Sequence, residues 1–136
     1  MKKGFTLIEL LIVIAIIGIL AGIVVGVTGA ARTKAATQAT RASLSGLRSA
    51  IALCCDVSTN TLQTTPGSDV CNPAIGTLLP TAAQLNGSSV TYTVITGNCA
   101  TSSPGYTITL SGHPNSSCNG SWTVTVTRFQ PPSGCQ

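Results

Sequence analysis

From Phe5 to Val27 the chain is almost continuously apolar over 23 residues, and Glu9 is the one charged side chain between Gly4 and Ala31. As a helix this stretch spans about 34 Å at ~1.5 Å per residue, enough to cross a hydrocarbon layer of about 30 Å. Ala30–Cys54 continues the helical pattern, rich in Ala and free of Pro. Leu44, Leu47, Ile51 and Cys54 recur at 3-4-3 spacing, an apolar stripe suited to packing on a folded domain. Upstream the stripe thins to Thr37 and Thr40, so that part is expected to project from the packed region. One helix from Phe5 to about Cys54 would be roughly 75 Å long.

The pattern changes after Cys55. About thirty irregular residues carry Pro66, Gly67, Pro73, Gly76 and Pro80, with Thr81–Leu85 as a short turn of helix. Three strand signals follow at Val90–Thr96, Tyr106–Leu110 and Trp122–Phe129. In the last, Trp122, Val124, Val126 and Arg128 alternate with Thr123, Thr125, Thr127 and Phe129, which predicts one packed and one wet face. The expected fold class is α+β: a long N-terminal helix, with a membrane-spanning half and a half packed on the head, and a small antiparallel β-sheet head. It would have the outline of a lollipop.

Composition sharpens this picture. The chain has seven basic residues, three acidic ones (Glu9, Asp56, Asp69) and a single histidine. Residues 56–136 hold only 18 large apolar side chains. Acid–base and metal chemistry have almost no stock here, so no enzyme, no metal site and no cofactor are expected. Six cysteines, at 54, 55, 71, 99, 118 and 135, all follow the apolar segment, without a Cys-x-x-Cys pair. They read as a disulfide set made in an oxidising compartment, where each bridge adds roughly 2–4 kcal/mol to a core-poor head. Six cysteines allow 15 pairings. Cys54 and Cys55, if helical, point about 100° apart and so bridge to different partners. Cys118 and Cys135 are expected to close a loop around the last strand; the pairing of Cys54, Cys55, Cys71 and Cys99 is left open.

The apolar run is too long for a cleaved secretory signal, and the helical pattern passes residue 30 without a break. Basic residues flank it on both sides (Lys2 and Lys3; Arg32 and Lys34), so charge does not orient it. The cysteines do, by requiring everything beyond the helix to face the oxidising side. Glu9 costs a few kcal/mol in lipid on the order of magnitude of insertion scales, and such residues are functional by default. One reading lets it snorkel to the interface; the sharper one has it wait for a cation from a neighbouring chain.

The run from Lys2-Lys3-Gly4-Phe5-Thr6-Leu7-Ile8-Glu9 through Leu10 to Ala21 closely resembles the type IV pilin and pseudopilin family. The likeness covers roughly residues 2–30: a short basic leader ending in Gly, then Phe, then Thr, with Glu four residues after Phe. It implies that a prepilin peptidase cuts between Gly4 and Phe5 on the cytoplasmic side and N-methylates Phe5. It also makes the new Phe5 amine of an adjacent subunit the partner of Glu9. The implied organisation is a leader over 1–4, a transmembrane and assembly half over 5–27, an amphipathic half over 28–55 and a globular head over 56–136. The resemblance further implies membrane lipid around the helix before assembly, an inner-membrane assembly platform, and a homo-oligomeric helical filament on the cell surface.

Gly18, Gly22 and Gly26 recur every four residues, a strip suited to close helix packing or to loosening in a filament, since each glycine costs about 1 kcal/mol of helix propensity. Family helices commonly loosen here at a proline; Gly26 stands where that proline is usual. Lys34, Arg41 and Arg48 repeat every seven residues on one face, read first as a solvated or subunit-facing stripe and alternatively as an anion or DNA contact. Asn86-Gly87-Ser88, Asn115-Ser116-Ser117 and Asn119-Gly120-Ser121 match glycosylation triplets but suit turns. His113 is expected in a solvent-facing loop. Three functions compete: a pilus subunit serving adhesion, twitching motility or DNA uptake; a minor pilin acting as a tip binding module; and a pseudopilin of type II secretion. Calcium-holding carboxylates near the C-terminus, usual in major pseudopilins, have no counterpart after Asp69.

Overall fold

The computed structural model describes residues 4–87, 89–95 and 98–136, with only the backbone of 26, 27 and 98. The first three residues of the expected leader, and Ser88, Thr96 and Gly97, lie outside them. The chain divides into two compact units, Met1–Thr33 and Lys34–Gln136. The expected α+β class is what it has. One long helix, α1 (Leu7–Cys54), is followed by short antiparallel sheets.

In the first unit the helix is unbroken through Gly18, Gly22 and the backbone of Gly26. Among the described residues it is the one helix long and apolar enough to cross a membrane. The unit's described large apolar side chains are exposed, Phe5 and Leu7 each to 86%.

The second unit begins with the rest of α1. Leu44, Leu47, Ile51 and Cys54 are buried, and so are Thr37 and Thr40. The stripe therefore starts two turns earlier than apolarity alone indicates, and the expected projecting stretch is packed from Thr37 onward. Two threonines can occupy core positions because their hydroxyls are satisfied there: Thr40 Oγ1 donates to the carbonyl of Leu85 at 2.8 Å, and Thr37 Oγ1 accepts from Asn115 Nδ2 at 3.3 Å.

Against this stripe lies a four-stranded antiparallel meander, β3 (Ser89–Val94), β4 (Gly105–Ser111), β5 (Gly120–Thr125) and β6 (Phe129–Gln130), in sequence order. Ile108 stands opposite both Tyr92 and Trp122, and Val124 stands opposite Tyr106 and Phe129. Period-two alternation puts Tyr106, Ile108, Leu110, Trp122 and Val124 inside and leaves Thr109 exposed. Burial of the Tyr and Trp rings is made affordable by backbone partners: Tyr92 Oη donates to Pro80 O, Tyr106 Oη to Gln63 O, and Trp122 Nε1 to Cys118 O. Gly105 is required where β4 meets β5, since a Cβ there would run into the Val124 carbonyl.

The expected single strand Trp122–Phe129 is two. Thr125 N donates to Arg128 O at 2.8 Å and Arg128 N to Thr125 Oγ1 at 2.9 Å, a side-chain-locked turn that reverses the chain into β6 and leaves Arg128 exposed. The irregular stretch after Cys55 is also more ordered than its composition suggests. It holds a small hairpin, β1 (Thr61–Leu62) with β2 (Cys71–Asn72), and an isolated bridge between Asp69 and Leu78. At its end Gln84 Oε1 accepts from the Thr81 N–H and hydroxyl, forming a single helical turn.

Candidate functional site

The N-terminal site is built by the first turn of α1. Thr6 is its N-cap and Glu9 its third residue, the T-x-x-E spacing of a capping box. Glu9 Oε2 accepts from the Thr6 N–H at 2.9 Å and from the Thr6 hydroxyl at 2.7 Å, and Glu9 N–H donates to Thr6 Oγ1 at 3.4 Å. The carboxylate is thus fixed one turn beyond the Gly4–Phe5 bond, and Gly4 and Phe5 are exposed in non-helical backbone. Thr6, the threonine of the motif, belongs to this site through its capping-box spacing to Glu9. Along the same unit a Cβ at Gly18 or Gly22 would meet nothing within 4 Å, so these glycines leave open backbone surface. The side-chain position of Gly26 lies outside the described residues.

The three regularly spaced cations do not form one open stripe. Arg41 Nη1 donates to the carbonyl of Cys135 at 2.9 Å and Arg48 Nη2 to the carbonyl of Val126 at 3.0 Å, both half-buried. Arg48 Nε is buried without a partner. These two guanidiniums hold the C-terminal segments onto the helix, which corrects the expected solvated face. Of the three, Lys34 alone is exposed, while Arg41 and Arg48 keep their charge with one donor each engaged on a backbone carbonyl.

His113 is likewise turned inward, at 4% exposure. Nδ1 lies 3.0 Å from the Asn115 N and 3.2 Å from the Asn115 carbonyl, and Nε2 lies 3.2 Å from Thr40 Oγ1. Thr40 passes the chain of hydrogen bonds on to Leu85 O. The expected solvent-facing loop histidine is a bridge between α1, the 81–87 turn and the loop before β5. Asn115 and Asn119 of the glycosylation triplets serve the same loop: Asn115 Oδ1 accepts from Ser117 N, and Asn119 Oδ1 from His113 N. Asn86 sits in a turn at φ +54°.

Asp69 organises the 60–80 segment. Its Oδ1 accepts from the N–H groups of Cys71 at 2.9 Å and Ile75 at 3.1 Å, and its Oδ2 from Gly76 at 2.7 Å. The Cys71 N–H, helped by those of Ile75 and Gly76, holds the carboxyl below its ordinary value despite partial desolvation.

Three disulfides close the second unit: Cys54–Cys71, Cys55–Cys99 and Cys118–Cys135. The sulfurs of Cys54, Cys55 and Cys99 cluster within 4.8 Å, but all three are oxidised and offer no thiolate to a metal. An open groove of about 580 Å³ between Ala42 and Gly46 of α1 and Leu78 and Gln84 of the facing segment is lined without an ionisable side chain.

With this geometry in place, comparison with known proteins gives one finding. Residues 1–25 match the family described as the prokaryotic N-terminal methylation motif, which is the prepilin signature of type IV pilins and pseudopilins. Neither the curated proteins nor the solved structures provide a match to the chain. The motif heads an apolar helix that is followed by disulfide-closed antiparallel strands, an arrangement similar to that of type IV pilins. That family is structural rather than enzymatic, and its motif implies prepilin-peptidase processing and filament assembly in general.

Proposed function

We propose that this chain is a structural subunit of a type IV pilus, held in the inner membrane by residues 5–27 and polymerised through α1 after removal of residues 1–4 and N-methylation of Phe5. The observation that carries the reading is Glu9. It is one carboxylate placed by a capping box on a helix whose large apolar side chains are exposed from Phe5 to Val25. Such a helix has no stable place in water and needs lipid or other copies of itself. In either setting an uncompensated carboxylate is costly, whereas a pair of opposite charges at the same depth relieves both. Both capping bonds use Oε2, so Oε1 can take the Phe5 ammonium of an adjacent subunit without breaking either. Gly18, Gly22 and Gly26 would let neighbouring helices approach closely.

Immunogold labelling of sheared surface fibres, together with N-terminal sequencing of the fibre protein, tests this. Label along the shaft and a first residue of N-methylated Phe5 are expected. Label confined to tips would make the chain a minor pilin, and absence of surface label would favour a pseudopilin. DNA binding by the head is the weaker reading, because Arg41 and Arg48 are half-buried and each donates to a backbone carbonyl.

A further inference from the structure

Where α1 ends, Cys54 and Cys55 place two disulfides side by side. Cys54 Sγ lies 4.0 Å from Cys99 Sγ, the sulfur of the other bridge. Cys54 is 0% exposed, Cys71 2% and Cys99 5%, whereas Cys55 is half-buried. Of the four cysteines, Cys55 is thus the least buried, and the natural point of entry for a thiol from solution.

We propose that these two bridges form an exchange-coupled unit, entered at Cys55 by a disulfide-exchanging thiol protein of the oxidising compartment. An incoming thiolate attacks Cys55 Sγ; a mixed disulfide forms there, the Cys55–Cys99 bond breaks, and the electron pair leaves on Cys99 as thiolate. That thiolate is in contact with Cys54 Sγ and attacks it. The Cys54–Cys99 bond forms, the Cys54–Cys71 bond breaks, and Cys71 carries the thiolate away. The internal step moves one thiolate and neither gains nor loses electrons. Run in reverse, the same contact lets a chain that first joins Cys54 to Cys99 rearrange to its final pairing. Adjacent cysteines make such mispairing an inherent hazard, because either can meet either partner. Entry at the half-buried Cys55 therefore serves the Cys54–Cys71 bridge, both of whose cysteines are buried. The Cys118–Cys135 bridge takes no part.

Two single variants of the full chain, purified in detergent micelles, test this. In C55S the Cys99 thiol is left beside an intact Cys54–Cys71 bridge. Incubation at about pH 8, where thiols near their ordinary value of roughly 8.5 are partly ionised, followed by alkylation and peptide mapping, should reveal a Cys54–Cys99 cross-link with alkylated Cys71, alongside the original species. In C71S the displaced thiol is Cys54, and exchange should place the alkyl group largely on Cys55. Where one variant does not fold, the other decides. Exclusive alkylation of Cys99 in C55S, or of Cys54 in C71S, with the remaining native bridge intact, overturns the proposal.

Discussion

The guanidinium of Arg41 reaches across 94 positions of sequence to donate a 2.9 Å hydrogen bond to the carbonyl of Cys135. The bond joins the middle of α1 to the loop closed by the Cys118–Cys135 disulfide, so the chain's last residues are held by a covalent tie on one side and a charged donor on the other. Arg41→Ala removes that donor and leaves a carbonyl of a buried cysteine without it. A loss of about 1–2 kcal/mol is expected, the low end for charged donors because Arg41 is half exposed. Trp122 is the single tryptophan and fully buried, so its fluorescence during denaturant unfolding of the full chain in micelles reads the effect. A midpoint identical to that of the unaltered protein would show the bond to contribute nothing.

Thr40 is a polar residue in a position that the helical period assigns to the core. Thr40→Val keeps the shape but leaves Leu85 O without its donor and His113 Nε2 without its hydroxyl partner. Burying two unpaired groups outweighs the gain from one methyl, and a net loss of about 1–3 kcal/mol is expected. The same unfolding measurement checks it. A stabilised Val variant would mean that the network is replaceable by apolar packing.

Both residues show what was legible in the sequence and what was not. The helix and the strands follow from periodicity, because Leu44, Leu47, Ile51 and Cys54 repeat with the helical period while Tyr106, Ile108 and Leu110 alternate with threonines. Periodicity is blind to polar groups that are buried by finding partners far away in sequence. Thr37, Thr40 and His113 are of this kind, and Arg41 and Arg48 are half-buried through partners equally far away. The turn at Thr125–Arg128 follows from a different cause: its apolar alternation runs straight through the reversal, which is closed by the Arg128 N–H on the Thr125 hydroxyl and the Thr125 N–H on the Arg128 carbonyl. Two features had local signals that could have been used. Thr6–Glu9 and Thr81–Gln84 both have capping-box spacing; the first makes both reciprocal bonds, and in the second Gln84 Oε1 accepts from the Thr81 N–H.

Asp69 gives the head a pH dependence. Its carboxyl is held below the ordinary value by the Cys71 N–H and its neighbours, so the folded state binds a proton less readily than the unfolded chain. The stabilisation is then fully present above the unfolded value of roughly 4 and is lost as pH falls through the lower folded value. Thermal unfolding midpoints should decline below about pH 4 in the unaltered protein. In Asp69→Asn, which cannot ionise, the midpoint should be lower at neutral pH and that part of the decline should disappear. Parallel pH profiles for the two proteins would remove Asp69 from the account.

The assembly reading turns on Glu9 and can be separated from folding, since Glu9 lies in the unit 1–33 and the sheet in 34–136. In Glu9→Leu the helix loses a capping interaction of about 1 kcal/mol at its first turn, but also a carboxylate that costs a few kcal/mol in lipid, roughly on insertion scales. Membrane residence of the precursor should therefore be kept or strengthened, and Trp122 should report an unchanged head. Filaments should be absent, because the cation of the neighbouring subunit has lost the anion that fixes its depth. Membrane fractionation, Trp122 fluorescence and electron microscopy of sheared fibres read the three quantities in one strain. Normal fibres from Glu9→Leu would refute charge pairing as the source of axial register, while a destabilised head would show that the substitution acts on folding instead.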